Sequence, residues 1–182
     1  MPLTPSETKA LLERLEHRPD RKLGQNFLVD GNLVRKSLEM ADLPAKSKVV
    51  EVGPGLGSLT KALLDAGHQV YAVERDPALA NHLRASKAEA LESGQLVLRE
   101  GDAMDFPVAD LPEGEAEFYV VANLPYAIAS PWLEEVLGGS RLPTRMVIML
   151  QKEAADRYQA EAGTKSFGAL TIFLASAFEV TG

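Results

Sequence analysis

Two hydrophobic periods alternate along the chain. Short runs rich in β-branched and aromatic residues, at 49–52, 69–74, 95–98, 118–122 and 145–150, have the length and composition of buried strands. Between them, apolar residues recur every three or four positions, which predicts helices over 32–41, 59–66, 77–91 and 151–161 and a helix opened by Pro131 that carries Trp132. Upstream, Thr4-Pro5-Ser6-Glu7 has capping-box spacing with proline at the first helical position, and Leu11, Leu12 and Leu15 form a short apolar stripe behind it. The apolar run 169–180 is expected as a sixth strand, after the flexible loop Gly163-Thr164-Lys165-Ser166-Phe167-Gly168.

Strands alternating with helices imply an α/β fold, a parallel sheet covered on both faces, whose ligands sit outside the strand C-termini. Gly53, Glu74, Asp102 and Asn123 all fall at such ends. The first is the start of Gly53-Pro54-Gly55-Leu56-Gly57, where glycines permit tight turning and close ligand approach at Gly53 and Gly55, and Ser58 is expected to cap the helix that follows. Its Gly-x-Gly-x-Gly spacing differs from the dinucleotide fingerprint and favours another adenosine cofactor. Glu74 then ends the next strand as an acceptor for both ribose hydroxyls. At the third strand end, Asp102 is suited to accept from an adenine amino group and the Ala103 amide to donate to the ring, with Met104 or Phe106 covering the base.

Asn123-Leu124-Pro125-Tyr126 carries the candidate chemistry. Proline biases Leu124 toward an extended backbone, so the Leu124 carbonyl and the Asn123 side-chain oxygen can converge on one exocyclic amine while Tyr126 stacks on the ring that bears it. Holding both N–H groups this way favours a more tetrahedral nitrogen whose lone pair faces an electrophilic methyl group. No strong base is required, because positioning and preorganised dipoles do the work.

Composition narrows the alternatives. The 182 residues with 46% apolar content suit one ordinary domain, and a net charge of −7 disfavours a protein that coats nucleic acid non-specifically. There are no cysteines, and His17, His68 and His82 lack ligand spacing, so no metal site is expected. No apolar run has membrane-spanning length, so a cytoplasmic protein with no membrane partner is expected.

Five motifs together resemble the ribosomal RNA adenine N6-dimethyltransferases: Gln25-Asn26-Phe27-Leu28, Glu51-Val52-Gly53-Pro54-Gly55-Leu56-Gly57, Gly101-Asp102-Ala103, Asn123-Leu124-Pro125-Tyr126 and Gln151-Lys152-Glu153. The likeness runs from about Lys22 to the last residue and is greatest to the kasugamycin-sensitivity branch that acts on the small subunit. It implies a class I, Rossmann-like methyltransferase that binds S-adenosyl-L-methionine, releases S-adenosyl-L-homocysteine and dimethylates two adjacent adenines in the 3′-terminal hairpin of small-subunit ribosomal RNA, in an assembling 30S particle and as a monomer. Gln25, Asn26 and Leu28, of which Gln25-Asn26 alone reads only as a polar turn beside the anchoring Phe27, would then close over the methionine end. Residues 1–182 would form the cofactor-binding domain with a helical extension over 1–30, while the family's last strand and small helical RNA-gripping domain have no counterpart in these residues. Two alternatives share the features: a large-subunit dimethylase of the antibiotic-resistance type, and a non-catalytic ribosome-assembly factor. A nicotinamide-dependent oxidoreductase is disfavoured by the glycine spacing.

Overall fold

A computed structural model describes residues 5–15, 27–28 and 30–181. Helix α1 (Pro5–Arg14) and helix α2 (Gly31–Ala41) precede an alternating series: β1 (Lys48–Val52), α3 (Ser58–Asp65), β2 (Gln69–Glu74), α4 (Pro77–Ser86), α5 (Ala88–Glu92) and β3 (Leu96–Glu100). The second half runs β4 (Tyr119–Asn123), α6 (Tyr126–Gly138), β5 (Arg145–Met149), α7 (Lys152–Tyr158) and α8 (Ala169–Ala177). The five strands form one sheet in the order β3-β2-β1-β4-β5, and every pairing is parallel.

Alternation along the strands divides the core into two layers. Val50 and Val52 of β1 belong to a cluster with Val120, Phe118 and Trp132, whereas Val49 faces a second cluster with Leu59, Leu63, Val70 and Val34. Trp132 is fully buried and satisfies its indole by donating to the Pro107 carbonyl at 2.9 Å. The strand order reverses between β1 and β4, so the chain leaves β1 to one side of the sheet and returns to β4 on the other. That divergence opens a crevice beyond the strand ends, the usual place for a ligand in this architecture.

Several expected elements differ. The run 169–180 forms helix α8 over Ala169–Ala177 rather than a strand, because it is apolar nearly all round and a short continuous run does not distinguish the two periods. Leu170 and Leu174, four apart, pack against the core while Ile172 and Phe173 are exposed, which is helical spacing. The predicted helix 77–91 breaks at Lys87 (φ −128°, ψ 28°) into α4 and α5. Helix α6 starts at Tyr126, and Pro131 lies inside it instead of opening it. Strand β5 is half-buried at the edge of the sheet rather than buried on both faces. Asp30 does cap α2, its side chain accepting from the Asn32 amide at 2.8 Å, but α3 is preceded by Gly57 with no side-chain cap, and Ser58 is its first residue.

Gly57 adopts φ +78°, and a Cβ there would come within 2.8 Å of Leu83 Cδ2 on α4. Gly67 has a similar φ of +84° with open space around it. Gly57→Ala is therefore expected to destabilise by about 2–4 kcal/mol, combining backbone strain with overpacking, and Gly67→Ala by only about 1 kcal/mol. Urea denaturation of the two variants checks this, and equal losses would show that α4 yields to the added methyl.

Candidate cofactor and target-base site

The crevice holds a cavity lined from every strand end that the sequence singled out. Gly53, Pro54, Gly55 and Leu56 come from the loop after β1, Glu74 and Arg75 from the end of β2, Gly101, Asp102 and Ala103 from the end of β3, and Asn123, Pro125 and Ile128 from the end of β4 and the start of α6. Phe27 and Leu28 close one side, and Phe27 lies against Gly55, where an added Cβ would meet its ring at 3.3 Å. Gln25 and Asn26 lie outside the described residues.

Glu74 is buried and ties two loops together. One carboxylate oxygen accepts from the Gly55 amide and the other from the Asp76 amide, each at 2.9 Å, while the Gly53 amide donates to Val73 O at 2.9 Å. The glycine loop is thus fixed to the end of β2 by both main chain and side chain, with Gly53 (φ +65°) and Gly55 (φ +58°) in conformations that side chains rarely adopt. Burial raises the Glu74 carboxyl above its ordinary range, and the Asp76 and Gly55 amides offset part of that rise. Asp102 sits opposite, accepting from the Met104 amide at 3.0 Å and facing Arg75 Nη1 at 3.3 Å.

Met104 and Phe106 do not cover this cavity. Phe106 turns back beneath Gly101 and stacks under the Arg99 guanidinium, 4.6 Å from its ring centre, and Met104 packs against the core. The apolar walls are Leu79, Pro125, Ile128 and Leu28 instead. A turn that doubles back immediately after Asp102, with the Phe106 amide donating to the Asp102 carbonyl at 3.0 Å, carries both side chains inward.

Asn123 is half-buried and belongs to two hollows. Besides the main cavity, it lines a second one with Leu124, Pro125, Leu150 and Gln151. The Leu124 amide donates to Met149 O at 3.1 Å, which locks the end of β4 to the end of β5, and the Leu124 side chain is buried in the core. Any role for Leu124 at the surface of the hollow falls to its main chain. The backbone of Tyr126 begins α6 beside this point.

One lining residue was not singled out from the sequence. Glu51 is 1% exposed, and its Oε2 has no hydrogen-bond partner among the described residues. Burial pushes its carboxyl up to about 8, with Thr60 offsetting part of this and the Glu74 charge adding to it. The signal was an acidic residue in an otherwise all-valine strand. An unpaired buried oxygen facing a cavity is the mark of a polar ligand, and a ligand carrying positive charge would draw the Glu51 carboxyl back toward its ionised form. Among the described residues, no group of three or more histidine and acidic side chains could hold a metal ion.

Fold and site together define an open parallel α/β sheet with an adenosine-type cavity at its switch point. The family model for ribosomal RNA adenine dimethylase matches residues 16–182, and the chain belongs to that family. Over 181 residues it is 59% identical to the ribosomal RNA small subunit methyltransferase A of Opitutus terrae, covering 99% of this chain and 65% of that protein. Among solved structures, a dimethyladenosine transferase from Plasmodium falciparum aligns with a TM-score of 0.67 at 28% identity, over 82% of this chain and 52% of that one. The 23S ribosomal RNA methyltransferase ErmE aligns with a TM-score of 0.59 at 30% identity, over 72% of this chain and 50% of that one. The chain therefore spans less than two thirds of the relative's length and about half of each structure. These neighbours share the Rossmann-like sheet expected from the sequence.

The raised carboxyl of Glu51 has a direct consequence for stability. The unfolded chain ionises it near the ordinary value of 4.5 while the folded chain retains the proton to about 8, so the contribution of Glu51 to folding stability is fully present below 4.5 and is lost progressively as pH rises to about 8. Glu51→Gln, which keeps the shape without the charge, is expected to flatten much of that decline in denaturant titrations at pH 5.5 and 8. An undiminished slope would mean that Glu51 ionises normally in the fold.

Proposed function

We propose that this chain is the catalytic domain of an S-adenosyl-L-methionine-dependent enzyme that dimethylates N6 of two adjacent adenines in the 3′-terminal hairpin of small-subunit ribosomal RNA. The observation that carries this reading is the position of Asn123, on the wall between a carboxylate-lined adenosine-type cavity and a second hollow. A residue so placed touches the cofactor on one side and the base to be modified on the other.

The residues present fit the cofactor. Glu74 supplies a buried acceptor for the ribose, Asp102 and Ala103 face the adenine, and Gly53 and Gly55 leave the loop without side chains where the ligand would approach. Glu51, whose buried oxygen is unpaired, offers a partner for the positively charged methionine end, with Leu28 and, beyond the described residues, Gln25 and Asn26 closing over it. When bound, the cofactor supplies an electrophilic methyl group. Asn123 Oδ1 and the Leu124 carbonyl accept the two hydrogens of the adenine amine and hold its lone pair toward the main cavity, and stacking on the ring is assigned to Tyr126, whose side chain lies outside the described residues. Pro125 fixes the direction of the chain between them. The amine loses its proton after attack to water, since a methylated amine that has become cationic is acidic and needs no dedicated base.

Identity to a small-subunit methyltransferase favours small-subunit ribosomal RNA in an assembling 30S particle, met by a cytoplasmic monomer, over the large-subunit substrate named for ErmE. We assign residues 1–182 to the cofactor domain, residues 1–30 forming its N-terminal extension.

Calorimetric titration is expected to show S-adenosyl-L-methionine binding by the chain and a weakening of roughly 10–100-fold in Glu74→Ala, the loss of hydrogen bonds to a buried charged group. Asn123→Ala is expected to lower methyl transfer to unmethylated small ribosomal particles by roughly 100-fold or more with cofactor affinity little changed. Binding that is indifferent to Glu74 would remove the ribose assignment. Transfer to large-subunit particles in preference to small ones would overturn the choice of substrate.

A further inference from the structure

Two carbonyl acceptors converging on an amine do not by themselves select adenine. Cytosine presents the same pair of N–H donors on its exocyclic nitrogen, so a site built only from Asn123 and Leu124 accepts either base. Adenine N1 has its counterpart in cytosine N3, an acceptor beside the amine in both bases, so what separates adenine is N7, an acceptor that cytosine lacks. Neither oxygen can read it. A donor is required in the second hollow.

Gln151 is the side chain placed to provide one. It lines that hollow across from Asn123 and Leu124. Its position follows from the sheet: Asn123 of β4 is in register with Met149 of β5, the Leu124 amide is bonded to Met149 O, and the chain then runs through Leu150 to Gln151 at the same edge. Gln151 is also the N-cap of α7, where a polar side chain ordinarily turns back onto the helix amides. Here it does not. The Gln151 carbonyl receives the Ala154 and Ala155 amides at 3.0 and 3.1 Å, but its side chain makes no capping bond and is exposed to the hollow. A carboxamide at the mouth of this recess offers a donor that can reach N7 of a purine.

We infer that Gln151 is a specificity-determining residue for the target base, its amide donating to N7 of the adenine whose amine is methylated. This rests on the proposed adenine methylation and assigns to the fifth sequence motif a role that the cofactor cavity leaves unexplained. The leucine variant removes donor and acceptor at similar size, and the glutamate variant keeps the size but only accepts.

The test is a double-substitution cycle on methyl transfer. Small ribosomal particles are reconstituted with RNA carrying adenine, 1-deazaadenine or 7-deazaadenine at the target positions and offered to the wild-type chain, Gln151→Leu and Gln151→Glu. Both variants are expected to lose at least tenfold in kcat/KM on adenine with calorimetric affinity for S-adenosyl-L-methionine within twofold of wild type. 7-Deazaadenine is expected to cost the wild type a similar factor and to cost Gln151→Leu nothing further, while 1-deazaadenine is expected to cost both proteins alike. Unchanged transfer by Gln151→Leu, or equal sensitivity of wild type and variant to 7-deazaadenine, overturns the role of Gln151 while leaving adenine methylation standing. Absence of transfer by the wild-type chain to adenine itself overturns both.

Discussion

The carboxylate of Glu74 is the point on which the site's geometry depends. It accepts from the amides of Gly55 and Asp76, and so holds the glycine loop after β1 against the start of α4 after β2. A buried carboxylate with only apolar neighbours would be costly, and the two amides are what make it tolerable. The arrangement fixes the loop before any ligand arrives. It also brings Glu74 close enough to raise the carboxyl of Glu51, adding to the effect of burial there.

The sheet supplies the remaining placement. With β1 central and the chain diverging between β1 and β4, the ends of four strands deliver one short polar motif each to the same crevice. Parallel pairing keeps all C-termini on one side, so motifs far apart in sequence need no special contacts to meet. Asn123 gains a second environment because β5 continues the sheet beyond β4, and the bond from Leu124 to Met149 holds the two ends level.

Residues whose role follows from strand position were legible in the sequence. Gly53, Glu74, Asp102 and Asn123 were placed by counting strand ends, and all four line the cavity. What escaped were features set by three-dimensional packing. The helix α8 looked like a strand because its apolar residues lie on nearly every side, and only the half-exposed surface where Ile172 and Phe173 emerge tells the two apart. Met104 and Phe106 were displaced from the cavity by a turn whose main-chain bonds no local pattern announces. Glu51 read as part of a glycine motif, and its burial beside Thr60 under α3 depends on a helix packed across the strand. Gln25 and Asn26 had no function until a family likeness gave them one, since a polar pair in a loop has no periodicity to read.

The sharing of Asn123 between two hollows means that the sites on either side of it are not thermodynamically independent. Whatever fills the first hollow restricts the rotamers of a half-buried side chain that the second hollow also uses. The second ligand then meets a wall already ordered, and the entropy of fixing it is lost once rather than twice. Where both occupants need the same rotamer, linkage makes each raise the affinity for the other by the same factor, so a single shared amide can couple two adjacent pockets without any movement of the backbone.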